Sequence, residues 1–336
     1  MKFLYAILGL AVILGVVVAA GWFWWRWMLS PVASSGTGQD VRFVVPRGQA
    51  AEEIGRRLEE AGVIRSSLGF KLFLALTGRT LSIQAGEYKL SSMVGMSEIA
   101  DQLLKGPEDV WVTIPEGWRK EQVALRLVSS LGLVGEGKQE FLAEFFVAAE
   151  EGYLFPDTYL VPKEASAVKV IAIMKQNFER KMSQEALLEK MQAEGRSLRE
   201  IVTMAALIER ETRAEAERPV VAGILWKRLK AGWPFQADAA LQYVKASSTC
   251  AGRIELCPDW WPQIEASDKE LVSPYNTYLN LGLPSGPIAN PGLSSLRAAV
   301  FPEESEYWFY LHDSVGKIYY GRTIEEHGAN INKYLK

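Results

Sequence analysis

Two acidic residues at the end of one apolar run are the first candidates for chemistry in this chain. Residues 201–219 read IVTMAALIERETRAEAERP, and the apolar part leads straight into Glu209 and Glu211. Each residue advances about 100° around a helix. On that spacing Ile201, Met204, Ala205, Leu207 and Ile208 share one broad apolar arc, Arg210 points away from it, and Glu209 and Glu211 fall on its opposite edges. The two acids therefore do not make a close pair, and at most one of them faces a given cleft. A carboxyl held against an apolar face keeps its proton to higher pH, because burial disfavours the charged form, and can act as a general acid near neutrality. The plain alternative is a solvated acidic edge. Periodicity does not choose between Glu209 and Glu211.

The elements that must position these acids can be read on either side. Ser197 and Glu200 form a capping box that starts the helix, Glu217-Arg218-Pro219 is expected to end it, and residues 220–229 start the next. Residues 232–238, GWPFQAD, are an aromatic turn carrying Gln236 and Asp238. Residues 246–271 read as an insertion in which Cys250 and Cys257 bracket a short loop, with Trp260 and Trp261 in the same segment. Outside the cytoplasm the two cysteines could close a disulfide, whereas a reducing compartment would leave thiols. Tyr275 and Asn276 precede the run 282–292, GLPSGPIANPG, which holds Asn290 and is expected to be an ordered, turn-rich wall of a site. A short helix at 293–300, a hairpin at 307–312 and 317–320, and a helical end follow. Upstream, residues 151–159, EGYLFPDTY, gather aromatics and carboxylates around a proline and suit either a sugar ring or a core loop. Residues 168–193 read as one long amphipathic helical region.

Residues 3–25 carry no charge and are long enough as a helix to cross a hydrocarbon core of about 30 Å. Trp22, Phe23, Trp24, Trp25 and Trp27 crowd the end of that span, as an interfacial aromatic belt does. The expectation is an uncleaved transmembrane anchor. Its rival is a signal peptide cleaved near Val18-Ala19-Ala20. Only Lys2 precedes the span while Arg26, Arg42 and Arg47 follow it, so charge does not orient it. Residues 30–40 are a Gly/Ser/Pro-rich linker. Strands at 41–45 and 85–90 and helices at 50–61, 68–76 and 97–104, the last capped by Ser97, give a strand–helix–helix–strand–helix unit resembling a LysM-like carbohydrate-binding module. A strand at 111–115 and helices at 120–131 and 138–149 lead into the remainder.

The division expected is 1–28 as cytoplasmic tip and anchor, 29–40 as linker, 41–108 as the LysM-like subdomain and 109–336 as a mixed catalytic domain, an α+β protein throughout. Of 336 residues 49% are hydrophobic and 23% charged, and the net charge of −3 with scattered Lys and Arg gives no footprint for nucleic acid. Two His and two Cys leave little room for a zinc site, and neither a metal nor another cofactor is expected. There is no phosphate-cradling loop and no nucleophile elbow, and His312 and His327 read as structural.

Several short motifs follow one another along the chain: Pro115-Glu116-Gly117, Phe155-Pro156-Asp157-Thr158, Glu209-Arg210-Glu211-Thr212, Glu217-Arg218-Pro219, Arg228-Leu229, Gln236-Ala237-Asp238, Tyr275-Asn276-Thr277-Tyr278 and the run 282–292. Together they resemble the membrane-bound endolytic murein transglycosylase family (the MltG or YceG-like family), over nearly the whole chain. The resemblance implies cleavage of the β-1,4 bond between N-acetylmuramic acid and N-acetylglucosamine in nascent peptidoglycan strands, leaving a 1,6-anhydro end and ending polymerisation. It implies that the acid just before Thr, here Glu211, is catalytic, as in the Glu-Ser of lysozyme-like lytic transglycosylases, on a lysozyme-like helical element. Gln236, Asp238, Tyr275, Asn276 and Asn290 would line the glycan cleft, and Glu217 would orient polar neighbours. The partners implied are glycan strands and the cell-wall synthesis machinery. The location implied is the bacterial inner membrane, single-pass, with a cytoplasmic N-terminus and the catalytic body outside. The chain departs from the family pattern at Ala237-Asp238-Ala239, where Thr-Asp-Pro is usual, and in its Cys-bearing insertion. The alternative from another class is a membrane-anchored peptidoglycan-binding scaffold without activity.

Overall fold

The computed structural model describes residues 2–33, 38–46, 48–78, 83, 85–107, 109–184 and 186–335. The chain divides into two compact units, residues 1–111 with 160–164 and residues 112–159 with 165–336. The first holds α1 (Lys2–Leu29), β1 (Asp40–Val45), α2 (Ala51–Glu60), α3 (Ser67–Leu76), β2 (Gly86–Ser91) and α4 (Met96–Lys105). The chain passes to the second unit along β3 (Asp109–Thr113) and returns briefly along β4 (Thr158–Pro162). The sheet order is β1-β2-β3-β4, with β1 antiparallel to β2 from Asp40↔Ser91 to Val45↔Gly86.

The first unit follows the expected element order. Its core joins Phe43 and Val45 of β1, Ile54 and Leu58 of α2, Phe70 and Leu74 of α3, and Ile99 and Leu103 of α4. Ser66 caps α3 by accepting from the Gly69 amide at 3.2 Å. Ser97 does not cap α4: the helix starts one residue earlier, with Gly95 at the cap position and no side-chain cap.

Within α1 the window Val12–Leu29 is long and apolar enough to cross a membrane, and it is almost wholly exposed. Its end is not free. Met28 is fully buried, and a Cβ on Gly69 would lie 2.4 Å from its sulfur, so α1 and α3 meet through that glycine. The linker is less loose than its composition predicts. Arg65 donates to the Pro31 carbonyl at 3.0 Å and to the Val32 carbonyl at 3.2 Å, and the Ala33 amide donates to the Ser92 carbonyl at 3.0 Å. Residues 34–37 of the linker lie outside the described residues.

The second unit is built from α5 (Lys120–Leu131), α6 (Gly135–Ala148), α7 (Ala167–Gln184), α8 (Leu187–Ala193), α9 (Leu198–Glu211), α10 (Arg218–Lys230), α11 (Asp238–Thr249), α12 (Leu293–Val300), the hairpin β5 (Phe309–His312) and β6 (Ile318–Gly321), and α13 (Ile324–Tyr334). The helical region expected over 168–193 consists of two helices, α7 and α8, with Ala186 between them at a left-handed φ of 54°. Helix α9 is the centre of this unit. It is buried all round from Ile201 to Ile208, not only along one arc, because α8, α10, α11 and α12 surround it. The Ser197 capping box starts it as expected.

Its end differs from the sequence reading. The helix stops at Glu211, where Thr212 turns to extended backbone and bonds its hydroxyl to the Ile208 carbonyl at 2.7 Å. Arg218-Pro219 opens α10 instead of closing α9, the position where a proline has no amide to lose. Two other expectations resolve. Leu154, Phe155 and Tyr159 are buried, so 151–159 is a core loop. Cys250 and Cys257 form a disulfide, and the segment 246–249 belongs to α11.

Helix α10 packs against the following chain through Gly223, where an added Cβ would lie 1.9 Å from the Glu303 carbonyl oxygen. The obstacle is backbone, held by the Glu303 amide donating to the Pro219 carbonyl at 2.9 Å. Gly223→Ala should therefore destabilise the protein by about 2 kcal/mol, despite the usual helical advantage of alanine, as read from urea unfolding. An unchanged or raised urea midpoint would contradict this packing.

Candidate active site

Glu209 and Glu211 have separate surroundings. The Glu209 carboxylate is buried and fully engaged: it accepts from Arg218 Nη2 at 2.9 Å, from the Gly292 amide at 3.0 Å and from Ser295 Oγ at 2.7 Å. It thus ties the end of α9 to α10 and to the start of α12. It is not a solvated edge residue. The neighbouring Glu116 sits 3.8 Å from Arg218 and is held above the ordinary carboxylate range, by burial first and then by the charge of Glu209. A cavity of about 500 Å³ opens there, lined by Glu116, Glu215, Arg297 and Phe301 among others. Glu211 is not among its lining residues.

Glu211, the last residue of α9, turns toward the hairpin and the start of α11. Tyr310 Oη donates to its Oε2 at 3.1 Å, and the Ala239 amide in the first turn of α11 donates to the same carboxyl. Burial pushes its pKa up, and the charge of Asp238 adds to this. The Tyr310 hydroxyl, the Ala239 amide and the field of His312 pull the other way without cancelling the rise. The amide end of a helix favours the carboxylate form. Both protonation states of Glu211 therefore have partners, which an acid that must later act as a base requires. Tyr310 itself is held well above its ordinary pKa, by burial and then by Glu211, and so remains a donor.

The charge of Asp238 acts on this carboxyl, Gln236 lies two residues earlier on the same turn, and Glu217 bonds His312, whose field also reaches Glu211. Asp238 is exposed and accepts from Tyr278 Oη at 2.7 Å. Gln236 is exposed on the same turn and takes a positive φ of 53°, enforced by the Gln236 and Ala237 amides, which bond the Thr277 carbonyl at 3.2 Å and its hydroxyl at 3.0 Å. Glu217 bonds His312 Nε2 at 3.1 Å and accepts from the Arg213 and Ala214 amides at 3.3 Å. Burial alone would raise Glu217, but His312 and the two amides outweigh it and hold it low.

Tyr275, Asn276 and Asn290 occupy other positions. Tyr275 is half-buried with its ring 4.9 Å from that of Tyr243. Asn276 is fully buried: its Nδ2 donates to the Lys269 and Leu271 carbonyls, and its Oδ1 accepts from the Tyr278 amide. Asn290 is fully buried as well. Its Oδ1 accepts from the Gly152 and Leu154 amides, and its Nδ2 donates to the Trp118 carbonyl and Glu151 Oε1. The two asparagines spend their hydrogen bonds inside the loops, so they shape the wall of the site instead of presenting amides to it.

Sequence reasoning gave Tyr310 no role, quoted Tyr278 and Arg228 only within motifs, and did not foresee the bond between His312 and Glu217. Half-buried Arg228 donates to the Phe235 carbonyl at 3.0 Å and the Trp308 carbonyl at 2.8 Å, which fastens the Gln236 turn to β5. The signal for the hairpin pair was present: Tyr310-Leu311-His312 alternates, so Tyr310 and His312 share one strand face. The insertion supports the other side of α9, where the Arg210 guanidinium lies 3.8 Å from the Trp261 ring.

A carboxyl with a raised pKa at a helix end, on the same side as an exposed turn and a hydrogen-bonded Asp–Tyr pair, is a candidate acid–base site. Residues 43–333 match the YceG-like family, and the chain belongs to it. A Bacillus subtilis (strain 168) protein named endolytic murein transglycosylase is 28% identical over 346 residues, covering 95% of this chain and 91% of the relative. Proteins of that name from Streptococcus pneumoniae strains D39 and R6 are each 25% identical over 370 residues. They cover 98% of this chain, which spans 65% of their length. The 2.6 Å crystal structure of a YceG-like protein from Listeria monocytogenes superposes with a TM-score of 0.55 at 27% identity, covering 87% of this chain and 99% of that one.

The raised pKa of Glu211 has a stability consequence. The folded protein binds this proton more tightly than the unfolded chain does, so the stabilisation is complete below the ordinary value of 4.5 and is lost as pH rises through the raised value. Glu211→Gln cannot ionise and escapes that loss. The variant should match the parent in urea midpoint near pH 4 and exceed it at pH 7 to 8. A variant less stable than the parent at neutral pH, with parity at pH 4, would reverse the sign.

Proposed function

We propose that this protein is an endolytic peptidoglycan transglycosylase, cutting the bond between N-acetylmuramic acid and N-acetylglucosamine within nascent glycan strands. The observation that carries this reading is the placement of Glu211: a partly buried carboxyl with a raised pKa, bonded by Tyr310 and a helix-end amide, beside the exposed Gln236 and Asp238. Family membership and the printed names of the relatives support it.

The chemistry follows from one carboxyl. Protonated Glu211 gives its proton to the glycosidic oxygen as the C1–O4 bond breaks. The resulting carboxylate, steadied by Tyr310 and the Ala239 amide, takes the proton of the muramic C6 hydroxyl as that oxygen bonds to C1. The product is a 1,6-anhydro end, no water is consumed, and Glu211 is reprotonated for the next cycle. Because the nucleophile belongs to the substrate, no second enzymic carboxylate has to act as nucleophile or hold a water, unlike in paired-carboxylate hydrolases. An intramolecular attack also benefits from a high effective molarity. Asp238, Gln236 and Tyr275 contact N-acetyl and hydroxyl groups, while Glu217 orients His312 and Asn276 and Asn290 hold the loops.

In the same reading α1 anchors the protein in the bacterial cytoplasmic membrane, with its N-terminus inside and both units outside, where a disulfide persists. The first unit would act as a LysM-like glycan-holding module, and the second would carry a lysozyme-like catalytic element. Cleavage near the growing strand would end polymerisation alongside the synthesis machinery.

The test is product analysis by mass spectrometry after incubating the full chain in detergent with uncrosslinked glycan strands. Anhydro ends, one water lighter than reducing ends, are expected from the parent, and Glu211→Gln should lower the rate by about 10²–10⁴-fold. Reducing ends would make the protein a hydrolase, and strand binding without any cleavage would make it a scaffold.

A further inference from the structure

Beyond the carboxyl site, the same turn and hairpin carry a cluster of tilted aromatic rings that catalysis by Glu211 does not use. Trp233 is 43% exposed, an unusual state for the largest apolar side chain. Its ring lies 4.6 Å from that of Trp308 and 6.1 Å from that of Phe309. Lys227 Nζ sits 4.7 Å from the Trp308 ring. Trp308 is thus an inner support, and Trp233 is the outer plate.

The plate is held in place by backbone. Gly232 takes a φ of 68°, Pro234 follows, and the Trp233 amide donates to the Arg228 carbonyl at 2.9 Å. Arg228 then bonds both the Phe235 carbonyl of the turn and the Trp308 carbonyl of the hairpin, so it clamps the two rings together. The Gln236 side chain, three residues from Trp233, is exposed without a hydrogen-bond partner among the described residues.

The platform is continuous with the carboxyl site along one strand. Trp308, whose amide donates to the Gly321 carbonyl at 2.9 Å, Tyr310 and His312 alternate and so share a face. Two residues of strand span about 7 Å, so Trp308, on whose ring Trp233 rests, stands one such step along the chain from the tyrosine that bonds Glu211. A rigid aromatic plate with a free amide beside it matches a pyranose, which offers an apolar face and polar edges.

We propose that Trp233, backed by Trp308 and flanked by Gln236, is an outer subsite that stacks on a sugar of the glycan strand and holds it in register with Glu211. This rests on the transglycosylase reading for the identity of the strand. Trp233 would be a positioning residue: its stacking supports binding of a long substrate without touching the bond that breaks.

The experiment measures binding and cleavage separately, on the full chain in detergent. On the non-cleaving Glu211→Gln background, Trp233→Ala should weaken the affinity for uncrosslinked glycan strands about tenfold, while Trp233→Tyr, which keeps a ring, should stay within about twofold. In the cleaving parent, Trp233→Ala should raise KM with little change in kcat, and its urea midpoint should match the parent's. Equal binding by Trp233→Ala and its background would overturn the subsite while leaving cleavage by Glu211 intact. Trp233-dependent binding without cleavage would sink the catalytic reading and keep the subsite. Self-association lost in Trp233→Ala by sedimentation, with glycan binding unchanged, would assign the ring to a protein interface and overturn the proposal.

Discussion

The buried ion pair between Glu209 and Arg218 is the interaction on which the second unit depends. Both side chains are 7% exposed, and the carboxylate also takes the Gly292 amide and Ser295 hydroxyl. Removing one partner of such a pair leaves an uncompensated buried charge, at about 3–5 kcal/mol. The pair holds three things together: the last turn of α9, the start of α10 and the entry of the run 282–292 into α12. Only with that junction fixed does Glu211, two residues beyond Glu209, point reproducibly at Tyr310 and α11.

The site therefore separates architecture from chemistry within three residues. Glu209 has only structural partners and is saturated by them. Glu211 has partners for its charged form and a surrounding that favours its neutral form, so neither state is locked. Similar economy is seen in the loops. Asn290 joins segments near 118, 152 and 290 through one buried amide, and Asn276 does the same within its own loop. Arg119, fully buried, pairs with Glu121, reaches Ser247 and stacks on Tyr243, which joins the start of α5 to α11.

Local signals in the sequence carried much of this. The capping box at Ser197 and Glu200 located the start of α9, and the short helix at 293–300 and the hairpin near 310 and 320 were readable from periodicity. The end of α9 was not, because Thr212 stops the helix through a local bond and a change of backbone that apolar spacing does not register. The arc also understated burial: residues such as Val202, Thr203 and Ala206 become interior only because four helices enclose α9. Motif order pointed to Glu211, whereas the bond from Tyr310, about a hundred residues away, is a product of tertiary structure. Asn276 and Asn290 have the composition of ligand-binding residues, and only their coordinates reveal that the backbone already uses their amides.

The most direct test of this division of labour compares Glu209→Gln with Glu211→Gln for glycan cleavage per folded molecule, with the folded fraction taken from urea unfolding of each variant. The account predicts that Glu209→Gln loses several kcal/mol of stability, about what a broken buried pair costs, while its folded fraction still cuts strands. Glu211→Gln should fold at least as well as the parent and cut about 10²–10⁴-fold more slowly. A folded, inactive Glu209→Gln beside an active Glu211→Gln would contradict it.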